Sequence, residues 1–174
     1  LVAELIPSVL TVGDVQKVLC KLLKEKISIR DLVTIFETLA DYASYTKDPD
    51  VLTEYVRQAL SRQITQQYVS GGDVLKVITV GPGLEKKIVE SVQQSEHGSY
   101  LAMDPLAAQT INQRVAEQIN RLAQSGGQPV ILASPTIRMY LRQLLERSMQ
   151  DVPVLSYNEL EPNVEIHSVG VVNL

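Results

Sequence analysis

The chain has 174 residues, of which 45% are hydrophobic and 21% charged, and its formal net charge is −4. This composition is ordinary for a globular protein and supplies enough apolar material for a core. Proteins that bind nucleic acid or anionic membranes usually carry an excess of Lys and Arg, and this acidic chain does not. We therefore expect that this segment contacts neither nucleic acid nor a membrane. One cysteine excludes an internal disulfide. Because the chain begins with Leu1 and not Met, we expect it to be part of a longer protein.

The first stretch of the chain predicts one helix after an apolar segment. Residues 1–10 are apolar and are expected to pack on the domain that follows. Thr11 carries the hydroxyl that N-caps favour, so a helix is predicted to begin there. The predicted buried stripe of this helix is Val12, Val15, Leu19, Leu22 and Leu23. Cys20 lies at the edge of the stripe and is expected to be a small packing residue.

Residues 28–64 have the spacing of two amphipathic helices joined by a turn. In the first helix Ser28 is the expected N-cap, and Asp31 then lies near the positive end of the helix dipole. In the second, Asp48 is the cap and Pro49 takes the first helical position, where it loses no hydrogen bond. The predicted buried stripes are Ile29, Leu32, Val33, Phe36, Leu39, Ala40 and Ala43 in the first helix, and Leu52, Tyr55, Val56, Ala59, Leu60 and Ile64 in the second.

The polar side of the first of these helices carries like charges. Glu37 and Asp41 stand one helical turn apart, on a side that also holds Arg30. Such a pair costs roughly a few tenths of a kcal/mol in an isolated helix. Two explanations stay open: the side is a solvated acidic face, or a cation from elsewhere relieves the repulsion. Arg57 and Arg62, from the next helix or from another subunit, are the candidate cations.

After Gly71-Gly72 the helical period gives way to short runs of β-branched residues that alternate with helical patterns. The predicted strands are 74–80, 100–103, 129–133, 152–156 and 164–172, with 95–99 as a loop. The predicted inward residues of the helices are Leu84, Ile88, Val89 and Val92, then Leu106, Ile111, Val115, Ile119 and Leu122, and then Ile137, Tyr140, Leu141, Leu144 and Leu145. Asp104-Pro105 and Ser134-Pro135 are the predicted starts of the second and third of these helices.

This order of elements indicates a mixed sheet with helices packed on it. The predicted fold class is α + α/β, with a helical subdomain at residues 1–72 followed by a small mixed-sheet α/β subdomain at residues 73–174. The boundary is placed at the glycines because the hydrophobic period changes there.

Two turns in the α/β part resemble places where other proteins bind ligands. Gly81-Pro82-Gly83 follows a strand and opens a helix, as phosphate loops do. It lacks the glycine spacing of nucleotide motifs, and Pro82 removes an N–H donor, so a tight turn is favoured. Ser134 also follows a strand, but no glycines flank it, and we interpret it as an N-cap. An α/β ligand-sensing regulatory module built on the first turn stays open as an alternative function.

Glu159, Glu161 and Glu165 form the carboxylate cluster of the chain. General acid–base catalysis needs two carboxylates that converge on a cleft, whereas a Pro162-Asn163 turn separates these three. We therefore interpret them as surface residues, and an acid–base enzyme is a further alternative that requires a cleft. The two histidines are not near the one cysteine or at metal-ligand spacing. We predict no catalytic, cofactor or metal site and no enzyme.

Two stretches of the helical part carry a long motif, QKVLCKLLKEKISIRDLVTIFETLADYA at residues 16–43 and LTEYVRQALSRQI at residues 52–64. They resemble the FlhA/InvA/MxiA family, the export gate of flagellar and virulence type III secretion. VITVGPGLEKKI, LAMDP and VLSYNEL extend the resemblance through the rest of the chain. The resemblance implies the last two of four subdomains in the C-terminal cytoplasmic domain of this family.

The resemblance also implies a function in assembly and docking without catalysis. It implies a ring, a nonamer in the full-length protein, on the cytoplasmic side of the bacterial inner membrane, formed by the cytoplasmic domain of a membrane protein. The implied partners are further copies of the chain, export chaperone–substrate complexes, the export ATPase apparatus and other export-gate proteins. The motif residues carried over as protein-interaction residues are Arg30, Asp31, Glu37, Asp41, Arg57 and Arg62.

Overall fold

A computed structural model describes residues 2–6, 9–69 and 71–174 of the chain. It divides the chain into two compact units, Leu1–Gln66 and Gln67–Leu174, which we call the helical unit and the α/β unit. The division lies within a helix, Ser61–Tyr68, a few residues before the glycines. The boundary after Gly72 stays a prediction.

The helical unit consists of short helices packed around an aliphatic centre. They are α1 (Val2–Leu5), α2 (Val12–Lys24), α3 (Leu32–Tyr42), α4 (Pro49–Ala59) and α5 (Ser61–Tyr68), the last of which extends into the α/β unit. Helix α4 packs against both α2 and α3. Its buried residues Leu52 and Val56 lie in the predicted stripe. The predicted single helix over 49–64 is interrupted at Leu60, which caps α4 with its own N–H.

Local cap chemistry decides where these helices begin. The Thr11 hydroxyl accepts the Asp14 N–H at 3.0 Å and the Asp14 carboxylate accepts the Thr11 N–H at 3.0 Å, which confirms the predicted start of α2. Asp48 and Pro49 open α4 as predicted. The predicted Ser28 cap is wrong: α3 begins at Leu32, because the Asp31 carboxylate accepts the Thr34 N–H, one of the free N–H groups of the first turn.

The α/β unit alternates strands and helices, as the periodicity predicts. Its elements are β1 (Val74–Val80), α6 (Pro82–Ser91), β2 (Val92–Ser95), β3 (Gly98–Leu101), α7 (Pro105–Gln124), β4 (Ile131–Ala133), α8 (Arg138–Leu145), β5 (Val154–Ser156), a 3-10 turn (Tyr157–Glu159) and β6 (Glu165–Val172). The order β5-β4-β1-β6 forms a four-stranded parallel sheet. Strands β2 and β3 form a separate antiparallel hairpin, so the mixed pairing is confirmed but divided between two sheets.

The hairpin and the helix faces refine several predictions for this unit. Residues 95–99, predicted as a loop, belong mostly to the ends of β2 and β3, since backbone pairing continues to Ser95 and Gly98. Helices α6, α7 and α8 contribute Ile88, Val115 and Leu141 to one core with the strands. The exposed residues Val89 and Leu106 were predicted to face inward and do not. Both lie on the solvent side of helices that bury other aliphatic residues.

The third predicted helix start in this unit is only approximately right. The segment after Ser134 first forms a turn, in which the Ser134 carbonyl accepts the N–H groups of Ile137 and Arg138 at 3.2 and 3.1 Å. Helix α8 therefore begins at Arg138. The Ser134 hydroxyl is buried and has no hydrogen-bond partner in the described part of the chain, so it is not the N-cap that we predicted.

Candidate protein-interaction site

Helix α3 exposes apolar side chains that its sequence was expected to bury. Val33 is 64% exposed and Leu32 is 42% exposed. The buried face consists instead of Ile35, Thr38 and Leu39, which lie about 120–160° around the helix from Val33. The predicted stripe was wrong in this respect because α3 is apolar on two sides, and only one of them packs against α4.

Acidic residues border the exposed apolar side of α3. Glu37 and Asp41 are both exposed and lie beside Val33 and Ala40 around the helix. Arg30 is exposed just before the helix, where its N–H donates to the Ser28 hydroxyl at 3.2 Å. The structure thus brings Glu37 and Asp41 onto one surface with a large apolar residue. We call this surface, consisting of Leu32, Val33, Phe36, Glu37, Ala40 and Asp41, the α3 face.

The two candidate cations occupy different places. Arg57 is only 1% exposed, and its guanidinium Nη1 lies 3.5 Å from Glu25 Oε1 beyond the end of α2. It therefore joins α4 to α2 inside the helical unit and does not present its charge on the surface. Arg62 lies on α5 with an exposed side chain. For Arg30, Glu37, Asp41 and Arg62 a contact with another protein stays a prediction, and the burial of Arg57 argues against it there.

The Asp31 carboxylate is the N-cap of α3. Its Oδ1 accepts the Thr34 N–H at 3.1 Å, and its Oδ2 accepts the Thr34 hydroxyl at 2.6 Å. The hydrogen bonds from the side chain and then the backbone of Thr34 lower the pKa of Asp31 below the ordinary value of 3.8. The two bonds from Thr11, backbone first, lower the pKa of Asp14 in the same way.

Acid should weaken the helical unit through these two caps. Because both folded-state pKa values lie below 3.8, their contribution is complete above the unfolded pKa and is lost as the pH falls through the folded pKa. We expect Asp31→Asn to flatten the fall in stability between about pH 5 and pH 2. Thr34→Val should raise the pKa of Asp31, measured by NMR titration of its carboxylate. A wild-type Asp31 pKa at or above 3.8 would contradict this assignment.

The turn at Gly81 is closed by the end of the chain. The Gly81 N–H donates to the Val172 carbonyl at 2.9 Å. A methyl group on Gly81 would lie 2.4 Å from Asn173 Oδ1 and 3.1 Å from the Val172 carbonyl oxygen. Asn173 thus fills the space beside Gly81, and the turn packs closely against residues 172–173. This geometry supports the tight turn over the ligand-sensing alternative.

The carboxylate cluster is divided between interior and surface. Glu159 was predicted to lie on the surface, but it is 1% exposed. Its Oε1 accepts the Ser156 N–H at 3.1 Å and its Oε2 lies 3.8 Å from Arg138 Nε. Glu165 is exposed on β6, 2.9 Å from His167 Nε2. Glu159 and Glu165 thus have separate partners, one inside the unit and one on its surface, so the acid–base alternative loses its support.

The sequence did not predict that Glu159 is one of several buried polar residues that contact one another. Arg138 is also 1% exposed, and its Nη1 donates to the Val154 carbonyl at 2.8 Å. Ser156 and Glu159 have the S-x-x-E spacing of a capping box, which was present in the sequence and indicates this turn. No comparable local pattern predicts the pairing with Arg138, which comes from another element.

Two further features concern the residues that the structure describes. No group of three or more His, Cys, Asp or Glu side chains there could hold a metal ion. Within the same residues, no helix combines the length and the apolar character that crossing a membrane requires.

Comparison with known proteins gives a consistent set of relatives. The model of the FHIPEP family matches residues 1–165. The flagellar biosynthesis protein FlhA of Bacillus subtilis is 55% identical over 174 residues, which are the whole of this chain and 26% of that protein. This chain therefore spans about a quarter of the length of that relative.

Solved structures agree over nearly the whole chain. The nonameric SctV-C of EPEC, a cryo-EM structure, is 36% identical with a TM-score of 0.79, covering 92% of this chain and 51% of that one. CdsV of Chlamydia pneumoniae, solved in complex with CdsO, is 34% identical with a TM-score of 0.87, covering 99% of this chain and 49% of that one. The α + α/β fold class is confirmed by this likeness.

Proposed function

The chain belongs to the FHIPEP family, and from this membership we propose that it is the C-terminal cytoplasmic part of a type III protein-export gate. It acts there as a ring-assembly and docking platform without catalysis. Its proposed partners are further copies of itself, export chaperone–substrate complexes, the export ATPase apparatus and other export-gate proteins. Its proposed location is the cytoplasmic side of the bacterial inner membrane.

Two relatives support the self-assembly and the ATPase-related contact in this proposal. SctV-C of EPEC is nonameric, and CdsV of Chlamydia pneumoniae forms a complex with CdsO. Both are similar to this chain across more than nine-tenths of its length. These properties belong to those proteins, and we extend them to this chain because the matched region includes both of its units.

The observation that carries the docking function is the α3 face. A surface of large apolar side chains bordered by charges is typical of protein–protein contacts and is unusual on a monomer. Val33 is more exposed than buried on this face, although residues of its kind are normally placed inside. In this proposal the exposed apolar side chains pack against a partner protein, which explains why α3 is apolar on two sides.

The proposal can be tested in Bacillus subtilis. The segment of FlhA that matches this chain is replaced by the chain, and the chimera is expressed in cells that lack FlhA. Since the two are 55% identical, we expect the chimera to restore motility and flagellin export. Val33→Asp should then abolish both while the amount of chimera in the membrane is unchanged, because a carboxylate in an apolar contact is left unpaired.

Val89→Asp is the matched control for this experiment. Val89 is also an exposed valine on a helix, but it lies in the α/β unit and is not one of the residues of the α3 face. The control should retain motility. Full motility with Val33→Asp, or an abundant chimera that supports no export, would contradict the proposal.

A further inference from the structure

Strand β6 lies at the edge of the four-stranded sheet and is exposed along most of its length. The strand order β5-β4-β1-β6 gives it β1 as a neighbour, and no other strand in the described part of the chain pairs with it. Every residue from Glu165 to Val169 is exposed, and so is Val171. An edge of this kind offers backbone N–H and C=O groups to any further strand that can reach it.

The backbone of β6 uses one side to pair with β1 and leaves the other side open. The Glu165 N–H donates to the Asp73 carbonyl at 2.9 Å, and the Val172 carbonyl accepts the Gly81 N–H at 2.9 Å. Both ends of the strand therefore turn these polar groups toward β1. In a parallel pair such residues alternate with residues whose groups point away. Counted inward from the two ends, the residues that point away are Ile166, Ser168 and Val171.

The side chains of this edge favour the addition of a strand. Ile166, Val169 and Val171 are 41%, 40% and 39% exposed, and all three are β-branched. Proteins commonly protect an edge strand with lysine or proline, and residues 165–172 contain neither. The charged residues lie at the beginning of the strand, where Glu165 contacts His167. From Ser168 onward β6 is therefore an uncharged edge that does not repel another strand.

We propose that β6 binds an extended, unfolded segment of an export substrate, which adds to the sheet beside it as a further strand. This inference rests on the proposed function, because it names a partner and a surface for the docking platform. In this mode of recognition the backbone hydrogen bonds give the affinity, and side chains at alternate positions adjust it. A site that binds the backbone accepts segments of different sequence, which suits a platform that receives more than one substrate.

An irregularity in β6 favours a flexible segment over a second copy of the chain. The register between β1 and β6 shifts after Val77, and Val169 is the extra residue of β6. The open positions are therefore two residues apart before Val169 and three apart across it. In a symmetric antiparallel pair the second copy would present this spacing in reverse, so the open positions could not all align. A flexible segment can instead form a bulge of its own opposite Val169.

Backbone pairing is tested by amide hydrogen exchange, measured by NMR on the purified chain. The probe is a synthetic peptide of alternating valine and threonine with lysines at both ends for solubility. We expect the amides of Ile166, Ser168 and Val171 to exchange rapidly in the free chain and about tenfold more slowly with saturating peptide. The same peptide N-methylated throughout is the control. It keeps the side chains but has no backbone donors, so it should leave the exchange unchanged.

Ser168→Pro removes one of the open N–H groups and leaves the hydrogen bonds to β1 in place. Ser168→Ala is the matched control, because it loses the same hydroxyl, 3.5 Å from the Thr79 hydroxyl, and keeps the N–H. We expect Ser168→Pro to weaken peptide binding about tenfold and Ser168→Ala to leave it unchanged. Circular dichroism melts check the fold. If Ser168→Pro does not fold, Ile166→Lys replaces it, since a lysine on an edge also opposes pairing.

The Bacillus subtilis chimera tests the same edge with an export substrate. A photo-cross-linking amino acid in place of Ser168 should form a covalent adduct with flagellin, detected with an antibody against flagellin. The same amino acid in place of Val89, which is exposed on α6, should not form this adduct. Ser168→Pro should lower flagellin export several-fold at an unchanged amount of chimera in the membrane, and Ser168→Ala should not.

Three results would overturn the inference. The first is a peptide that does not slow exchange at the three open amides even at millimolar concentration. The second is slow exchange that depends on the concentration of the chain and not on the peptide, because a second copy then covers β6. The third is a chimera that cross-links at position 168 only to itself. All three leave the proposed function intact if the chimera still restores motility, whereas an abundant chimera without export contradicts the proposed function itself.

Discussion

Arg138→Met is expected to destabilise the α/β unit by about 3–5 kcal/mol, the usual cost of removing one partner from a buried ion pair. The Arg138 guanidinium is buried, and it contacts both the Glu159 carboxylate and the Val154 carbonyl. Without it, Glu159 is a buried carboxylate that has lost the cation beside it. Urea denaturation followed by circular dichroism measures this loss of stability. The urea concentration at the unfolding midpoint should fall, while the dependence of the unfolding free energy on urea concentration stays unchanged.

A second substitution separates the ion pair from simple packing. In Arg138→Met with Glu159→Leu, no charge is left buried, and apolar side chains of similar volume replace the pair. We expect the double variant to be more stable than either single variant, with a coupling free energy of about 1–3 kcal/mol. Arg147→Met, at an exposed position of the same unit, is the control and should change stability by less than about 0.5 kcal/mol. Additive effects of the two substitutions would show that the pair is not coupled.

The parts of the fold that sequence reasoning predicted well are those set by local chemistry. Thr11, Asp48-Pro49 and Asp104-Pro105 begin helices because each supplies an acceptor for free N–H groups, and two of them place proline where no donor is needed. Strand β1 is bounded on the C-terminal side by the Gly81 turn. These features depend on residues a few positions apart, so one sequence is enough to find them.

The faces of α2 and α3 could not be chosen from periodicity. Val12, Cys20 and Leu23 of α2 were expected to pack inside and are exposed instead. In α3, Leu32, Val33, Phe36 and Ala40 recur at helical spacing, and so do Ile35, Leu39 and Ala43. Packing against other helices, α4 above all, decides which set is buried. The prediction mixed residues of the two sets, which is the expected failure for a helix that is apolar on two sides. That failure marks the candidate site, because an interacting helix needs a second apolar side.

The sequence also did not predict which charged residues are buried. Glu159 and Arg138 are more than twenty positions apart in different elements, and Arg57 and Glu25 are more than thirty apart. Their pairing depends on tertiary contacts, and a sequence pattern that predicts charges on the surface is usually right. Arg57 was predicted to be a protein-interaction residue and a candidate cation for Glu37 and Asp41, whereas in the structure it is buried beside Glu25.

Arg57→Met is expected to destabilise the helical unit by about 3 kcal/mol, because it leaves the Glu25 carboxylate without the cation beside it. Arg57 Nη1 lies 3.5 Å from Glu25 Oε1, and the Glu25 side chain is only 16% exposed. Water can therefore replace the lost partner only in part. A thermal melt or urea titration measures the effect, and since the contact lies within one copy, the loss should not depend on protein concentration.

Arg62→Met is the matched control, because Arg62 is exposed on the next helix of the same unit. It should change stability by less than about 0.5 kcal/mol. The two arginines also distinguish the internal role from an interface role. If Arg57 acted between copies, its replacement would leave the stability of the dilute chain unchanged and weaken association at high concentration. An internal Arg57 gives the opposite pattern: the dilute chain loses stability, and any loss of association follows from that unfolding.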